Sequence, residues 1–152
     1  MQAFTIRRWT SRGRLGDIMA IIHAAFAGLE PPSGVLTETV ADLAARQRDG
    51  IVLVALSGAE FVGSLFCAHK DGSLYLTRMA TRPDWQRRGI GRALLRAAEE
   101  EAQRMGLLTL RLRVRKTLPE NLAYFTKAGF AVVGEGQENG RTPFDVMEKV
   151  LG

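Results

Sequence analysis

Residues 74–114 constrain the fold more than any other part of the chain. An alternating apolar segment leads into a basic, glycine-containing turn, a helical segment and a second alternating segment. The turn reads Q-R-R-G-I-G over residues 86–91, and Arg92 follows it. A helix N-terminus presents unpaired N–H groups and a partial positive charge, and glycine permits close approach to the backbone. The turn therefore predicts a site for a phosphate-bearing ligand.

The rest of the chain divides into short elements at its glycines and prolines. Apolar alternation predicts strands at residues 3–9, 51–56, 60–68, 74–81, 108–114, 130–134 and 144–151. Helical spacing predicts helices at residues 17–26 (capped by Asp17), from 36 or 37 to 48, 89–105 and 119–128. The polar residues 135–142 predict a loop. The predicted order is β-α-α-β-β-β-α-β-α-β-β.

This order predicts an α/β (α+β) fold built on one mixed sheet. Strands joined by short turns must be antiparallel, whereas the strand-helix-strand unit over residues 74–114 should form a right-handed parallel crossover. The sheet should be largely antiparallel, with helices on both faces. At 152 residues, and without repeats or linkers, the chain is expected to be one domain over residues 1–152.

The charge favours an anionic partner without selecting one. The chain has 21 basic and 16 acidic residues and a net charge of +5. Arg111, Arg113 and Arg115 lie on one face of a predicted strand, but exposed aromatic residues do not interleave with them, which argues against nucleic acid as the partner. The only cysteine, Cys67, excludes an internal disulfide. No apolar segment resembles a signal peptide or a membrane span, which makes a cytoplasmic location the default expectation.

Two phosphate-binding motifs fit the turn poorly. A dinucleotide fingerprint requires a third glycine, where this chain has Leu94, and a strand that leads directly into the glycines. Residues 82–88, including Pro83, intervene, and no acidic residue for a ribose follows the next strand. The Walker A pattern is absent.

The turn resembles the Q/R-x-x-G-x-G/A signature of the GNAT superfamily (GCN5-related N-acetyltransferases). The preceding A-T-R-P-D-W and the later block P-E-N-L-A-Y-F-T-K-A-G-F also resemble that family. The resemblance implies a GNAT-like fold and an enzyme that transfers acetyl from acetyl-CoA to a primary amine, by direct attack in a ternary complex. The alternative function is a non-catalytic module that senses acetyl-CoA.

The resemblance also assigns roles to individual residues. Backbone amides of the turn would hold the pyrophosphate, and the strand before it would pair with the pantetheine arm. The backbone N–H of Met79 would polarise the thioester carbonyl. Asn121 matches an asparagine that binds coenzyme A, or is simply a residue at a helix start. The implied coenzyme-binding residues are Met79, Ala80, Thr81, Gln86, Arg87, Arg88, Gly89, Ile90, Gly91, Arg92, Asn121 and Tyr124.

The match to the family is incomplete at the catalytic residues. The family often has a tyrosine four residues before the glycine of the closing G-F, to protonate the departing thiolate, and Phe125 occupies that position. The neighbouring Tyr124 is the candidate acid, although successive helical residues point about 100° apart. The alternatives are a packed aromatic at 124 and protonation by water. No carboxylate lies on the strand before the turn, so Glu30 and Glu38 are the candidate bases.

The acceptor stays open. Residues 29–48 and 135–143 would flank it, and their charges are mixed. The expected partners are acetyl-CoA and an amine-bearing acceptor. The sequence leaves open whether the chain forms a homodimer, and no interaction with a membrane is expected. The sequence shows no pattern typical of a metal site.

Overall fold

The computed structural model describes residues 3–152, which contain one seven-stranded mixed sheet. The strands are β1 (Thr5–Arg8), β2 (Ile51–Ser57), β3 (Glu60–Lys70), β4 (Ser73–Thr81), β5 (Thr109–Arg115), β6 (Ala131–Glu138) and β7 (Thr142–Val150). The helices are α1 (Leu15–Phe26), α2 (Val40–Asp49), α3 (Ile90–Arg104) and α4 (Pro119–Lys127). The order across the sheet is β1-β2-β3-β4-β5-β7-β6, and only β4 and β5 pair in parallel. The predicted element order and the mixed sheet are confirmed.

Both faces of the sheet are covered at β2, β3 and β4. Alternate residues of β2 point to opposite sides: Ile51 and Leu53 pack with α3, whereas Val52 and Val54 pack with α1 and α2. Such a strand is apolar throughout because neither face meets water. Helix α4 packs on the same side as α3, through Leu122, Phe125 and Ala128. The prediction of helices on both faces is therefore confirmed.

The α1 and α2 layer stops short of the last strands. Among the described residues, its buried cluster draws on β2, β3 and β4 but includes no residue of β5, β6 or β7. Leu110, Leu112 and Val114 of β5 are buried beneath α3 and α4, so the alternate residues of β5 face the other side. We call this side of β5 and β7, which the α1 and α2 layer does not cover, the open face. Its members are Arg111, Arg113, Arg115, Phe144, Val146 and Glu148.

Two predicted helix starts are wrong. Helix α1 begins at Leu15, after Arg14 in a left-handed conformation, and Asp17 lies in its first turn, where it accepts a hydrogen bond from Arg14 Nε. The second predicted helix is divided into a 3₁₀ turn (Gly34–Thr37) and α2. Thr39 caps α2 in a reciprocal capping box with Asp42, and this cap requires extended backbone between the two segments.

The loop predicted at residues 135–142 is also wrong. Strand β6 continues through Glu138, and β7 begins at Thr142. Glu135 pairs with Asp145 and Gln137 with Pro143 in an antiparallel ladder. The segment is polar because β6 is an exposed edge strand rather than because it lacks regular structure.

Among the described residues, none of the helices is both long and apolar enough to span a membrane.

Candidate active site

A bulge in β4 interrupts the regular alternation of side chains between the two faces of the sheet. Arg78 and Met79 together lie opposite Leu65 of β3, and Arg78 takes a left-handed φ of 54°. The Arg78 side chain reaches Glu38 on the α1 and α2 side. The Met79 side chain packs on the α3 side. The bulge thus places Met79 next to the basic turn that precedes α3.

The strands β4 and β5 separate beside this bulge. Their only pairs are Leu74 with Leu110 and Tyr75 with Arg111. Beyond these pairs, β5 stays paired with β7 through Arg115 while β4 stays paired with β3. The β4 edge over residues 76–81 therefore borders a gap in the sheet. An extended ligand could pair with the backbone of β4 there, at the positions predicted for the pantetheine arm.

The backbone of the basic turn leaves the N-terminus of α3 accessible to an anion. Arg87 and Gly89 both have left-handed backbones, with φ of 63° and 84°. Gly89 occupies the cap position, where no side-chain hydrogen bond caps the helix. The first backbone N–H groups of α3 consequently have no intrahelical acceptor. Buried Trp85 supports the turn from below, with the Arg88 guanidinium 4.7 Å above its ring.

Three elements converge at Gly91. A Cβ atom at this position would lie 2.8 Å from the Tyr124 hydroxyl oxygen of α4 and 3.2 Å from Met79 Cε of β4. The phenol of Tyr124 therefore points at the start of α3. Phe125 turns inward instead and meets Phe130 edge-to-face at 5.7 Å. The orientation of α4 thus directs Tyr124, rather than Phe125, to the basic turn.

The Tyr124 hydroxyl is held in its protonated form. Burial raises its pKa above the ordinary value of 10.0, and the positive charge of Arg92 offsets part of this increase. The side chain is still 42% exposed, so a ligand on the turn can reach the hydroxyl. This group can therefore donate a proton throughout the neutral range.

The remaining residues implied for the coenzyme fall into two groups. Gln86, Arg87, Arg88, Arg92 and Asn121 are exposed, and the Asn121 amide has no side-chain hydrogen bond within the described chain. Ile90 and Ala80 are buried, at 1% and 3% exposure, and Thr81 is half-buried and pairs with Gly63. Residues whose side chains are buried in this way can offer a ligand only their backbone N–H and C=O groups.

The carboxylate of Glu38 binds the arginine of the β4 bulge and is therefore not free. Arg78 donates from Nε to Oε1 and from Nη2 to Oε2, both at 2.6 Å, and Arg46 adds bonds at 3.1 and 3.2 Å. Burial opposes ionisation of Glu38, but the hydrogen bonds and charges of Arg78 and Arg46 outweigh it and hold its pKa below 4.5. An ionised carboxylate bound in this way is a weak proton acceptor. Sequence reasoning missed this pair because residues 38 and 78 meet only through the fold.

Residues from distant parts of the chain meet at Arg115, where β5 borders the gap. Buried Arg115 donates to the backbone oxygen of Pro31 and to Glu138 at 3.0 Å. It thereby ties the segment after α1 to the β6–β7 hairpin. Glu135 is paired with Lys116. Both segments contact Arg115, and Glu38, Glu135 and Glu138 are paired within the protein.

The comparisons with known proteins agree with this geometry. Residues 17–130 match the family model described as acetyltransferase (GNAT) family. The chain belongs to this family. Its members are acetyl-CoA-dependent N-acetyltransferases, and the resemblance seen in the sequence is confirmed.

One sequence relative of this GNAT chain is the [ribosomal protein bS18]-alanine N-acetyltransferase of Escherichia coli (strain K12). The two are 40% identical over 55 residues, which is 36% of this chain and 37% of that relative's length. The match thus spans little more than a third of the relative.

Solved structures extend the similarity of fold to almost the whole chain. The ribosomal-protein-S18-alanine N-acetyltransferase from Escherichia coli superposes with a TM-score of 0.81 at 20% identity, over 99% of this chain and 95% of that one. The PaiA N-acetyltransferase from Thermoplasma acidophilum, in complex with coenzyme A, gives 0.80 at 21% identity, over 97% and 99%. At these identities the similarity establishes the GNAT fold.

Within residues 3–152, no group of three or more His, Cys, Asp or Glu side chains could hold a metal ion.

Proposed function

We propose that this chain transfers an acetyl group from acetyl-CoA to a primary amine. The observation that carries the proposal is the convergence of Met79, Gly91 and Tyr124 at an uncapped, arginine-rich helix start beside a gap in the sheet. Because Gly91 has no side chain, the Tyr124 hydroxyl and Met79 can approach the start of α3, whose first N–H groups suit a pyrophosphate. Arg87 and Arg92 would add positive charge there.

The proposed reaction follows from this placement. The acceptor nitrogen attacks the thioester carbonyl carbon while the backbone N–H of Met79 stabilises the developing oxyanion. The C–S bond then breaks, and the Tyr124 hydroxyl protonates the thiolate. The amine must lose a proton, and because Glu38 is bound by two arginines, we assign this proton to water rather than to Glu38.

A direct test combines ligand binding with turnover. Acetyl-CoA should raise the melting temperature, since a ligand at 100 times its Kd stabilises the folded state by about 2.7 kcal/mol. Released thiol should then identify an acceptor among amino acids, polyamines, aminoglycosides and N-terminal peptides. Alanine-terminated peptides come first because of the relative's activity. No thermal shift at millimolar acetyl-CoA, with the fold confirmed, would contradict the donor site.

The thiol measurement suits this protein because its own cysteine is masked. Cys67 is 3% exposed. Burial, together with the negative charge of Glu101, raises its pKa to about 12. The native protein should therefore contribute little thiolate background.

Replacing Tyr124 tests the proposed acid. We expect Tyr124→Phe to lower kcat by about 10- to 100-fold, because the ring is kept while the proton donor is lost. The Kd for acetyl-CoA should change little, since the turn is intact. Measurements are turnover over a range of pH and, separately, coenzyme binding. Unchanged turnover at every pH would assign thiolate protonation to water.

A catalytically inactive sensor is the second candidate, and the position of Phe125 favours it. This residue stands where the family often has its tyrosine, and it is turned into the core. A sensor should bind acetyl-CoA as tightly as the transferase but release no thiol with any amine in the screen.

A further inference from the structure

We infer that the acceptor carries an anionic group, a carboxylate in the first instance, close to its amine, and that Arg113 on the open face binds this group. The inference rests on the proposed acetyl transfer and specifies which amines the site accepts. Four features of the structure lead to it: the direction of approach, the position of Arg113, the support of its side chain and the charges around it.

The direction of approach follows from the position of the coenzyme site. The basic turn, Gly91 and Tyr124 all lie on the α3 and α4 side of the sheet. Direct attack requires the two substrates to be bound together, so the acceptor must reach the gap from the other side. On that side the α1 and α2 layer ends at β4. The open face is therefore the accessible surface beside the gap.

Arg113 lies at the edge of the gap. Tyr75 and Arg111 form the last pair between β4 and β5. Because side chains alternate, the next residues on the same side are Thr77 of β4 and Arg113 of β5, about 7 Å further along each strand. Both are exposed. Thr77 and Arg113 lie on opposite sides of the gap. On β4, Thr77 precedes Met79 by two residues.

The Arg113 side chain is supported by a stack of residues. Its guanidinium carbon lies 4.7 Å from the centroid of the Phe144 ring. On β6, a Cβ at Gly136 would lie 2.6 Å from Phe144 Cζ, so the absence of a side chain at 136 lets the ring lie where it does. Cation–π stacking leaves the N–H donors at the edge of the guanidinium free to bind a carboxylate in the plane of the group.

The charges around Arg113 favour an acceptor that carries a negative charge. Arg111 donates to Glu148 at 2.6 Å, and Arg115 donates to Glu138 at 3.0 Å. Arg113 makes no ion pair within the described part of the chain and is exposed. The open face therefore presents an available cation, while its carboxylates are already bound. An acceptor whose only further charge is positive would be repelled by Arg113.

Two sources of the anion share this chemistry, and matched acceptors distinguish them. Free L-alanine against L-alaninamide tests the carboxylate of an amino acid. Peptides beginning Ala-Glu, Ala-Gln and Ala-Lys test an acidic second residue. At saturating acetyl-CoA, we expect kcat/KM to be about tenfold higher for the anionic member of at least one set, as for a charge-assisted pair.

Substitution of Arg113 should remove this preference. Arg113→Gln should equalise the anionic and neutral acceptors, and Arg113→Glu should favour Ala-Lys. Arg7→Gln, which removes an exposed arginine from β1 at the far edge of the sheet, should keep the wild-type preference. Because residue 113 is exposed, melting temperatures should confirm that all three variants fold.

The outcomes separate this inference from the proposed function. Equal or better use of neutral or cationic acceptors overturns the role of Arg113 and leaves acetyl transfer standing, as does a preference that persists in Arg113→Gln. If these acceptors all fail while another amine in the wider screen releases thiol, only this inference is wrong. If acetyl-CoA gives no thermal shift, both are wrong.

Discussion

Gly91→Glu should abolish acetyl-CoA binding while leaving the fold intact. The residue is the second of α3, in the first turn, where N–H groups have no intrahelical partner. A glutamate there places a carboxylate where the pyrophosphate must sit and occupies the space under the Tyr124 hydroxyl. We expect at least a 100-fold increase in Kd, about 2.7 kcal/mol, measured by calorimetry or by loss of the thermal shift.

The chain offers a matched control for this substitution. Gly16 is the second residue of α1, and a Cβ there would meet nothing within 4 Å. Gly16→Glu therefore makes the same chemical change at the same helical position, where an acidic residue is favourable. The control should bind acetyl-CoA as the wild type does. Equal affinity in both variants would place the coenzyme away from the basic turn.

The sequence predicted the elements of this fold well where local signals were strong. The order of strands and helices, the β4–α3–β5 crossover and the end of α3 shortly before Gly106 all followed from periodicity and glycine position. The error at β6 lay where tertiary pairing decides. β6 is polar and glycine-rich, yet it forms a strand because β7 supplies its hydrogen-bond partners.

The residues of the candidate site also fall into two groups: those that a local pattern indicates and those that only the fold brings together. The basic turn is local, so its residues could be named from the sequence. The direction of Tyr124 depends on how α4 is rotated against the sheet, which spacing alone does not determine. The Arg78–Glu38 pair and the Arg113–Phe144 stack join residues 40 and 31 positions apart in the sequence, respectively. No local pattern could have indicated either contact.

Arg78→Met should be the most destabilising single substitution around the β4 bulge. The side chains of Arg78 and Glu38 are only 10% and 14% exposed. Methionine keeps much of the volume but leaves the Glu38 carboxylate with Arg46 alone. Removing one partner of a buried pair costs about 3 kcal/mol, which corresponds to a fall of roughly 10 °C in Tm for a chain of this size. Urea unfolding at neutral pH measures the change.

Arg46→Met provides the control because it removes the other guanidinium from the same carboxylate. Arg46 is 44% exposed and its bonds to Glu38 are longer than those of Arg78. An exposed pair of this kind contributes within about 1 kcal/mol. If the two variants lost equal stability, burial of the Arg78 pair would not be what stabilises the bulge.

The pH dependence of the unfolding free energy provides an independent test of this prediction. Since the pKa of Glu38 is lowered in the folded state, its contribution is fully present above the ordinary value of 4.5 and is lost as the pH falls through the lowered pKa. The difference in unfolding free energy between wild type and Arg78→Met should therefore be largest near neutral pH and shrink on acidification. Because the same pair holds the bulge that presents Met79, acetyl transfer should fall in Arg78→Met even at temperatures where the variant is folded. A stable variant with wild-type turnover would separate the bulge from catalysis.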